Sequence, residues 1–245
     1  MSKSRLLASC FCLITSLSWL VTDKVSANEP SYSETVKIGF LSFRSQQYTQ
    51  QRWQPLVDYL NQSIPERKFE LVVLYYPQMN QAFAERKIDY LFTNPQHFTQ
   101  LNQKATLTPL ATIMPLAEGI PVNQFGGVIF TRRDRGDINN LEDLSERTIA
   151  APDSQSLGGY LMQKWELARS GEQVQRVEFT GMPHDQVVYR VLEGHADVGF
   201  VRTGVIEEMV RENKVEWQAL KIINPDLNSS FPHVHSTALY PEWPF

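Results

Sequence analysis

The chain has 245 residues, 42% of them hydrophobic and 20% charged, with a formal net charge of −4. This balance excludes a disordered or fibrous chain and leaves room for one large domain or two small ones. A slightly acidic chain is also a poor partner for nucleic acid, whose phosphates call for a basic face.

The N-terminus departs from that average. Lys3 and Arg5 precede an apolar run from Leu6 to Val21, and Val25-Ser26-Ala27 follows as a small-residue cleavage pattern. This is the layout of a secretory signal peptide over residues 1–27. The alternative is an uncleaved membrane anchor, against which the run is shorter than about 20 residues and broken by Ser and Thr. Both cysteines, Cys10 and Cys12, lie inside it, so the exported part has no thiol for a disulfide, a nucleophile or a metal. Without Lys3, Arg5, Lys24 and Asp23 the remainder carries 20 positive and 26 negative side chains. Any anion it binds must be held by local donors rather than by overall charge.

From Thr35 onward short apolar runs alternate with helical stretches. Val36 to Leu41 reads as a buried strand, and Trp53, Leu56, Val57 and Leu60 follow at helical spacing. Phe69 to Tyr75 is the next expected strand, Gln78 to Lys87 a helix, and Asp89 to Phe92 a third strand. Asn94-Pro95 then supplies a cap and a first-turn proline for another helix. The same grammar restarts after Gly126-Gly127, with strands at 128–131, 148–151, 174–179 and 197–201 and helices at 157–169, 183–192 and 205–213. Such alternation predicts an α/β fold with mostly parallel sheets flanked by helices.

A short internal match links the halves. Phe83-Ala-Glu-Arg-Lys-Ile-Asp89 resembles Val191-Leu-Glu-Gly-His-Ala-Asp197, each Asp ending a helix-to-strand turn. The expected organisation is a first lobe over 36–125, a second over 126–232, and a return of the chain to the first over 233–245. Two crossings side by side make a hinge with a cleft between lobes. The apolar-polar stretch His233 to Leu239 is the expected return strand.

In open α/β sheets, ligands sit beyond the carboxyl ends of the strands. Those loops hold Ser42 and Arg44, then Thr93, Asn94 and His97, then Ser154, Ser156 and Gly158, then His184, and finally Arg202 and Thr203. Each is rich in hydroxyls, amides or cations. Helix N-termini there offer unpaired N–H groups to an oxyanion, and Arg44 or Arg202 offers a forked, permanent charge. For any single loop, a plain N-cap explains the Ser, Thr or Asn as well; the recurrence across the loops is what points to a ligand cleft. Phe43, Tyr48, Trp53, Tyr75, Tyr76, Phe92 and Tyr160 lie in or near strand ends as candidate walls, while the helical spacing of Trp53 and Trp165 favours the core for those two.

Catalytic patterns are missing. No Gly-x-Ser-x-Gly elbow surrounds Ser154 or Ser156, and no lysine-bearing phosphate loop occurs. Ser156, His184 and Asp185 can be drawn as a triad, but an adjacent His and Asp on one helix cannot orient each other as that mechanism requires. His233 and His235 alternate without a third ligand nearby, so no metal or other cofactor is implied.

These residues carry a resemblance. Gly39 to Leu41 before a polar loop, Arg52-Trp-Gln-Pro-Leu-Val-Asp-Tyr-Leu60, Asp89-Tyr-Leu-Phe-Thr-Asn-Pro-Gln-His97 and Leu192-Glu-Gly-His-Ala-Asp-Val-Gly-Phe-Val201 resemble the phosphonate-binding family, type II periplasmic solute-binding proteins with two α/β lobes. Ser156-Leu-Gly-Gly-Tyr160, Phe200-Val-Arg-Thr-Gly204 and His235-Ser-Thr-Ala-Leu-Tyr-Pro-Glu-Trp-Pro-Phe245 are similar to its sensor branch, the periplasmic domains of tetrathionate-sensor-type histidine kinases. The transport branch carries Ser-x-Ser-Gly in the second-lobe loop and an acidic residue after the later strand; here Leu157 intervenes before Gly158 and Arg202 stands near the acidic place. The resemblance therefore implies a periplasmic, non-enzymatic binding domain for a small, fully anionic ligand, exported or membrane-anchored. Its expected partner is a membrane sensor kinase in a two-component system or, alternatively, the permease of an ABC importer.

Overall fold

The computed structural model describes residues 35–245. The expected signal peptide, with Cys10 and Cys12, lies outside the described residues. Strand β1 (Thr35–Leu41) is central in a three-stranded parallel sheet, flanked by β2 (Lys68–Leu74) and β3 (Tyr90–Phe92). Side chains close the starts of the connecting helices. Helix α1 (Gln46–Ser63) begins at Ser45, whose side chain accepts the N–H of Tyr48. Helix α2 (Tyr76–Ala84) has a proline in its first turn, and Gln78 reaches back to the N–H of Tyr75. Helix α3 (Pro95–Asn102) is capped by Asn94, which accepts from the N–H of His97.

After a hairpin of β4 (Leu116–Ala117) and β5 (Ile120–Pro121), the chain passes through β6 (Gln124–Phe125) into a second sheet. Its strands are β7 (Gly127–Arg132), β8 (Thr148–Ala151), β9 (Arg176–Phe179), β10 (Val198–Arg202) and β11 (Leu220–Ile223), ordered β11-β7-β10-β8-β9. Helices α4 (Met162–Arg169), α5 (Asp185–Leu192) and α6 (Val205–Arg211) connect them. The helix expected over 157–169 opens with a wide π-type turn at Leu157–Leu161 before α4 proper. Strand β11, four residues long, carries no pattern that the sequence reading could use.

Strand β7 departs from the expected parallel order, running antiparallel to both β10 and β11. The cause is its point of entry. It comes directly from the first half and meets the sheet at Gly127 opposite Arg202, the carboxyl end of β10. With no crossover helix to turn it round, it can only run the other way.

The expected return strand at 233–239 is not a strand. Hydroxyl side chains there replace ladder bonds: Thr237 accepts the N–H of Gly127 at 2.9 Å and Ser236 that of Ile129 at 2.9 Å. The chain then re-forms strand pairing at β12 (Tyr240–Pro241), antiparallel to β6. Two crossings thus run side by side between the sheets.

The internal match at Asp89 and Asp197 has a structural counterpart. The Asp89 carboxylate accepts the N–H of Lys37 at 2.7 Å, and its own N–H returns to the Lys37 carbonyl at 2.8 Å. Asp197 does the same with Thr148, at 2.9 Å in both directions. Each Asp stitches the start of one parallel strand to its neighbour.

Ile38, Phe40, Met79, Phe92, Leu101 and Trp243 centre the core on the first sheet. The second sheet is buried on both faces. Val128 and Phe130 of β7 pack with Val187, Val191 and Met209, while Ile129 between them packs on the opposite side with Ile149, Leu167 and Phe200. Gly199 lies where a Cβ would run into the Phe130 ring and within 3.0 Å of Val191. Gly199→Ala should therefore cost about 1–3 kcal/mol and lower Tm by about 2–12 °C; an unchanged thermal midpoint would contradict this packing.

Candidate ligand-binding site

The carboxyl ends of β1, β3, β8 and β10 and the loops after them converge between the two sheets. All the sequence-derived candidates but Ser154 meet here, and they divide into three groups with different tasks.

Arg44 is not available to a ligand. It is 1% exposed, with Nε and one terminal nitrogen forking onto Asp185 at 2.6 and 3.0 Å. The same guanidinium reaches Glu208 at 2.7 Å and Glu212 at 2.8 Å. Its cation is thus spent on three carboxylates of α5, α6 and the residue after α6. Ser42 is likewise consumed locally, donating to the Arg44 carbonyl or sharing its hydroxyl with Thr49 at 2.5 Å. Together with the N–H of His184 on the Phe43 carbonyl at 2.9 Å, these contacts dock the β1 loop of the first half onto the second.

Thr93, Asn94 and His97 form a second, closed knot. His97 lies between the Thr93 hydroxyl at 2.7 Å and Asn80 at 2.9 Å, and Asn94 donates to the Tyr76 hydroxyl at 2.6 Å. Burial, and behind it the charge of Lys104, lowers the His97 pKa to about 4. It is a neutral imidazole at neutral pH rather than a cation for an anion. Burial and the nearby Asp153 charge raise the Tyr76 phenol well above its ordinary value, against hydrogen bonds from Ser156 and Asn94.

The third group surrounds Arg202. Ser156 caps the π-type turn by accepting the N–H of Gly159 at 3.2 Å, and His184 Nε2 lies 3.4 Å from the same hydroxyl. His184 Nδ1 accepts the N–H of Arg202 at 3.3 Å, so the ring proton sits on Nε2. Asp185 binds Arg44 instead, and the His184 ring nitrogens face Ser156 and the N–H of Arg202, so among the described residues no carboxylate hydrogen-bonds the imidazole as the third member of a triad would. Burial, then the positive charge of Arg202, lowers the His184 pKa to about 3. Gly158 is required where it stands: a Cβ would come within 2.8 Å of the Arg202 side chain and 2.9 Å of Phe125. Ser154 is exposed and outside this cluster.

Arg202 itself is 7% exposed and sits over the rings of Phe43 and Phe125, each 4.6 Å from its guanidinium carbon, and of Trp243 at 5.3 Å. One terminal nitrogen donates to Glu242 at 2.8 Å, whereas Nε has no partner among the described residues. Arg202 and Thr203 line a cavity of about 60 Å³ together with Phe43, Trp53, Phe92 and Glu242. That volume is room for a few waters. Arg52, Glu208 and His233 line it as well. Glu242 and Trp243 had no local pattern to mark them, because their role depends on the chain returning to the first half. Trp53 was among the candidate walls, although its helical spacing favoured the core.

A family profile described as "ABC transporter, phosphonate, periplasmic substrate-binding protein" matches residues 38–245. The chain belongs to this family. Its members are binding proteins, and the fold here is the two-lobed, type II periplasmic-binding-protein fold. The tetrathionate sensor histidine kinase TtrS of Salmonella typhimurium is 36% identical over 222 residues, covering 88% of this chain and 37% of its own length. This chain therefore spans little more than a third of that relative. A binding protein component of an ABC phosphonate transporter from Pseudomonas aeruginosa superposes with a TM-score of 0.67 at 19% identity, over 86% of this chain and 67% of the other. A Prochlorococcus marinus protein in complex with methylphosphonate does so with a TM-score of 0.68 at 15% identity, over 86% and 75%. Likeness at that level concerns the fold alone. Among the described residues, no helix is long and apolar enough to cross a membrane.

Two measurements test this geometry. Arg44→Ala strands three carboxylates and should destabilise the protein by about 3–5 kcal/mol, read from urea unfolding; a loss below 1 kcal/mol would mean the cluster is solvated. His97 and His184 also leave a pH signature. Their folded pKa values lie below the ordinary 6.5, so unfolding takes up protons. Their stabilising effect is complete above about pH 6.5 and is lost as pH falls towards the folded values, with a slope of up to about 1.4 kcal/mol per unit for each. His184→Asn should flatten the slope of stability between pH 6.5 and 5 by about one proton's worth. The same slope in variant and parent would refute a buried neutral His184.

Proposed function

We propose that this chain is the exported ligand-binding input domain of a two-component sensor, taking a small oxyanion between lobes 36–125 (with 233–245) and 126–232. Binding favours the closed arrangement of the lobes, and closure is passed to a membrane kinase. The observation that carries the reading is the unpartnered Nε of buried Arg202 at a cavity shared by segments of both halves. A buried N–H without an acceptor is costly, and a ligand oxygen supplies one. Arg202, Thr203, Ser156 and His184 are the residues assigned to the ligand or to the wall behind it. The relationship to a tetrathionate sensor kinase supports sensing and makes tetrathionate the first anion to try. Closure can bias signalling only by as much as the ligand prefers the closed state.

The second reading is the substrate-binding component of an ABC importer for phosphonate- or phosphate-like anions, favoured by the description of the family profile. Gene context separates the two: a permease and an ATPase beside the gene indicate uptake, a kinase module or response regulator indicates sensing.

Titration calorimetry with tetrathionate, thiosulfate, sulfate, phosphate and methylphosphonate should give saturable binding of at least one anion. Replacing the whole ion pair, Arg202→Gln with Glu242→Gln, should weaken it by about tenfold or more relative to Glu242→Gln alone, as expected for loss of a charged hydrogen bond. No heat from any anion with the parent protein would sink the proposal.

A further inference from the structure

We propose that Glu242 selects the ligand by charge: paired with Arg202, it admits a tetrahedral head carrying one negative charge and disfavours a dianionic head of the same shape. The inference rests on the anion-binding reading of this cavity and deepens it.

Four side chains of permanent or near-permanent charge line the cavity, Arg52, Arg202, Glu208 and Glu242. They stand as two ion pairs, Arg202–Glu242 at 2.8 Å and Arg52–Glu208 at 3.4 Å. The lining therefore offers an anion no net positive charge. Glu208 is further bound to Arg44, and the neighbouring His233 of the lining lies 3.7 Å from Glu207. The carboxylate of Glu242 is fixed as firmly as the guanidinium. Its residue is 2% exposed, one oxygen holds Arg202, and the other accepts the N–H of Trp243 at 3.2 Å.

Beyond the bond to Glu242, Arg202 keeps donors for a ligand, among them the N–H at Nε. An oxygen accepting it comes under the field of Glu242 across a wall of Phe43, Phe125 and Trp243 rings, where apolar surroundings screen little. Repulsion from that carboxylate scales with ligand charge, and so does attraction to the guanidinium, so the pair gives a dianion little net gain over a monoanion while the dianion loses far more hydration. The chemical class that fits is the sulfonate head, −SO₃⁻, including the two singly charged ends of a polythionate. A fully ionised phosphonate or phosphate does not fit.

Methanesulfonate and methylphosphonate test this, because they share a shape and differ in charge once the phosphonate loses its second proton. In calorimetry from pH 6 to pH 9, the parent should bind methanesulfonate with little change in affinity. Its affinity for methylphosphonate should fall about tenfold or more relative to methanesulfonate as the dianion forms. Glu242→Gln should raise the affinity for both, and if the monoanion gains n-fold the dianion should gain about n²-fold, so the relative loss across the pH range shrinks or disappears. Glu242→Asp, which keeps the charge, should discriminate as the parent does. Arg52, Glu208 and His233 are common to parent and variants, so the comparison isolates Glu242. A phosphonate-to-sulfonate ratio that does not change with pH in the parent overturns the proposal. So does a ratio unaffected by Glu242→Gln. If neither anion, nor tetrathionate, binds parent or variants, the anion-binding reading itself fails, an outcome distinct from equal binding of both. Should Glu242→Gln fail to fold, the parent and Glu242→Asp series still decides.

Discussion

A buried guanidinium holds the two halves of this protein together. Arg44 leaves the end of β1 in the first sheet and is wholly enclosed by Asp185, Glu208 and Glu212 from the second. Lys214 closes the far side, 2.7 Å from Glu212 and 3.5 Å from Asp185. Taking an Arg out of water is costly, and only several well-placed carboxylates offset the cost. The arrangement is therefore all or nothing, and it draws the loop at 42–45 against the starts of α5 and α6. With that loop come Phe43, which covers Arg202, and the Phe43 carbonyl, which receives the N–H of His184. The cavity has its present walls because this docking is made.

The second arginine is handled differently. Arg44 has every nitrogen engaged by charge, whereas Arg202 has one carboxylate, three ring faces and a buried Nε without a partner among the described residues. The first pattern is structural; the second is the feature on which the proposed anion site rests. The histidines follow the same division. His97 and His184 are neutral, buried and bonded at both ring nitrogens, and serve as rigid spacers beside the site.

Much of the fold was legible because strand and helix periods are local. The strands at 36–41, 69–75 and 148–151 and the cap at Asn94 need only their neighbours in sequence. The paired aspartates at 89 and 197 also showed in the sequence, and the structure supplies their reason: each closes the mouth of a parallel ladder. The failures have one cause. The antiparallel direction of β7, the irregular path of 233–239 and the edge strand β11 are all set by where the chain enters or re-enters a sheet, which no local window contains.

For the candidate site, the sequence by itself determined the supply of polar groups at the strand ends, the absence of thiols beyond residue 27 and the family to which these belong. It could not say which carboxylates each arginine would meet, because charge pairing across a distance of 141 residues, as between Arg44 and Asp185, is decided in three dimensions. Nor could it bring Glu242 and Trp243 to Arg202, a meeting that exists only because the chain crosses back beside β6. Composition and period are properties of neighbours along the chain, whereas burial and compensation of charge belong to neighbours in space.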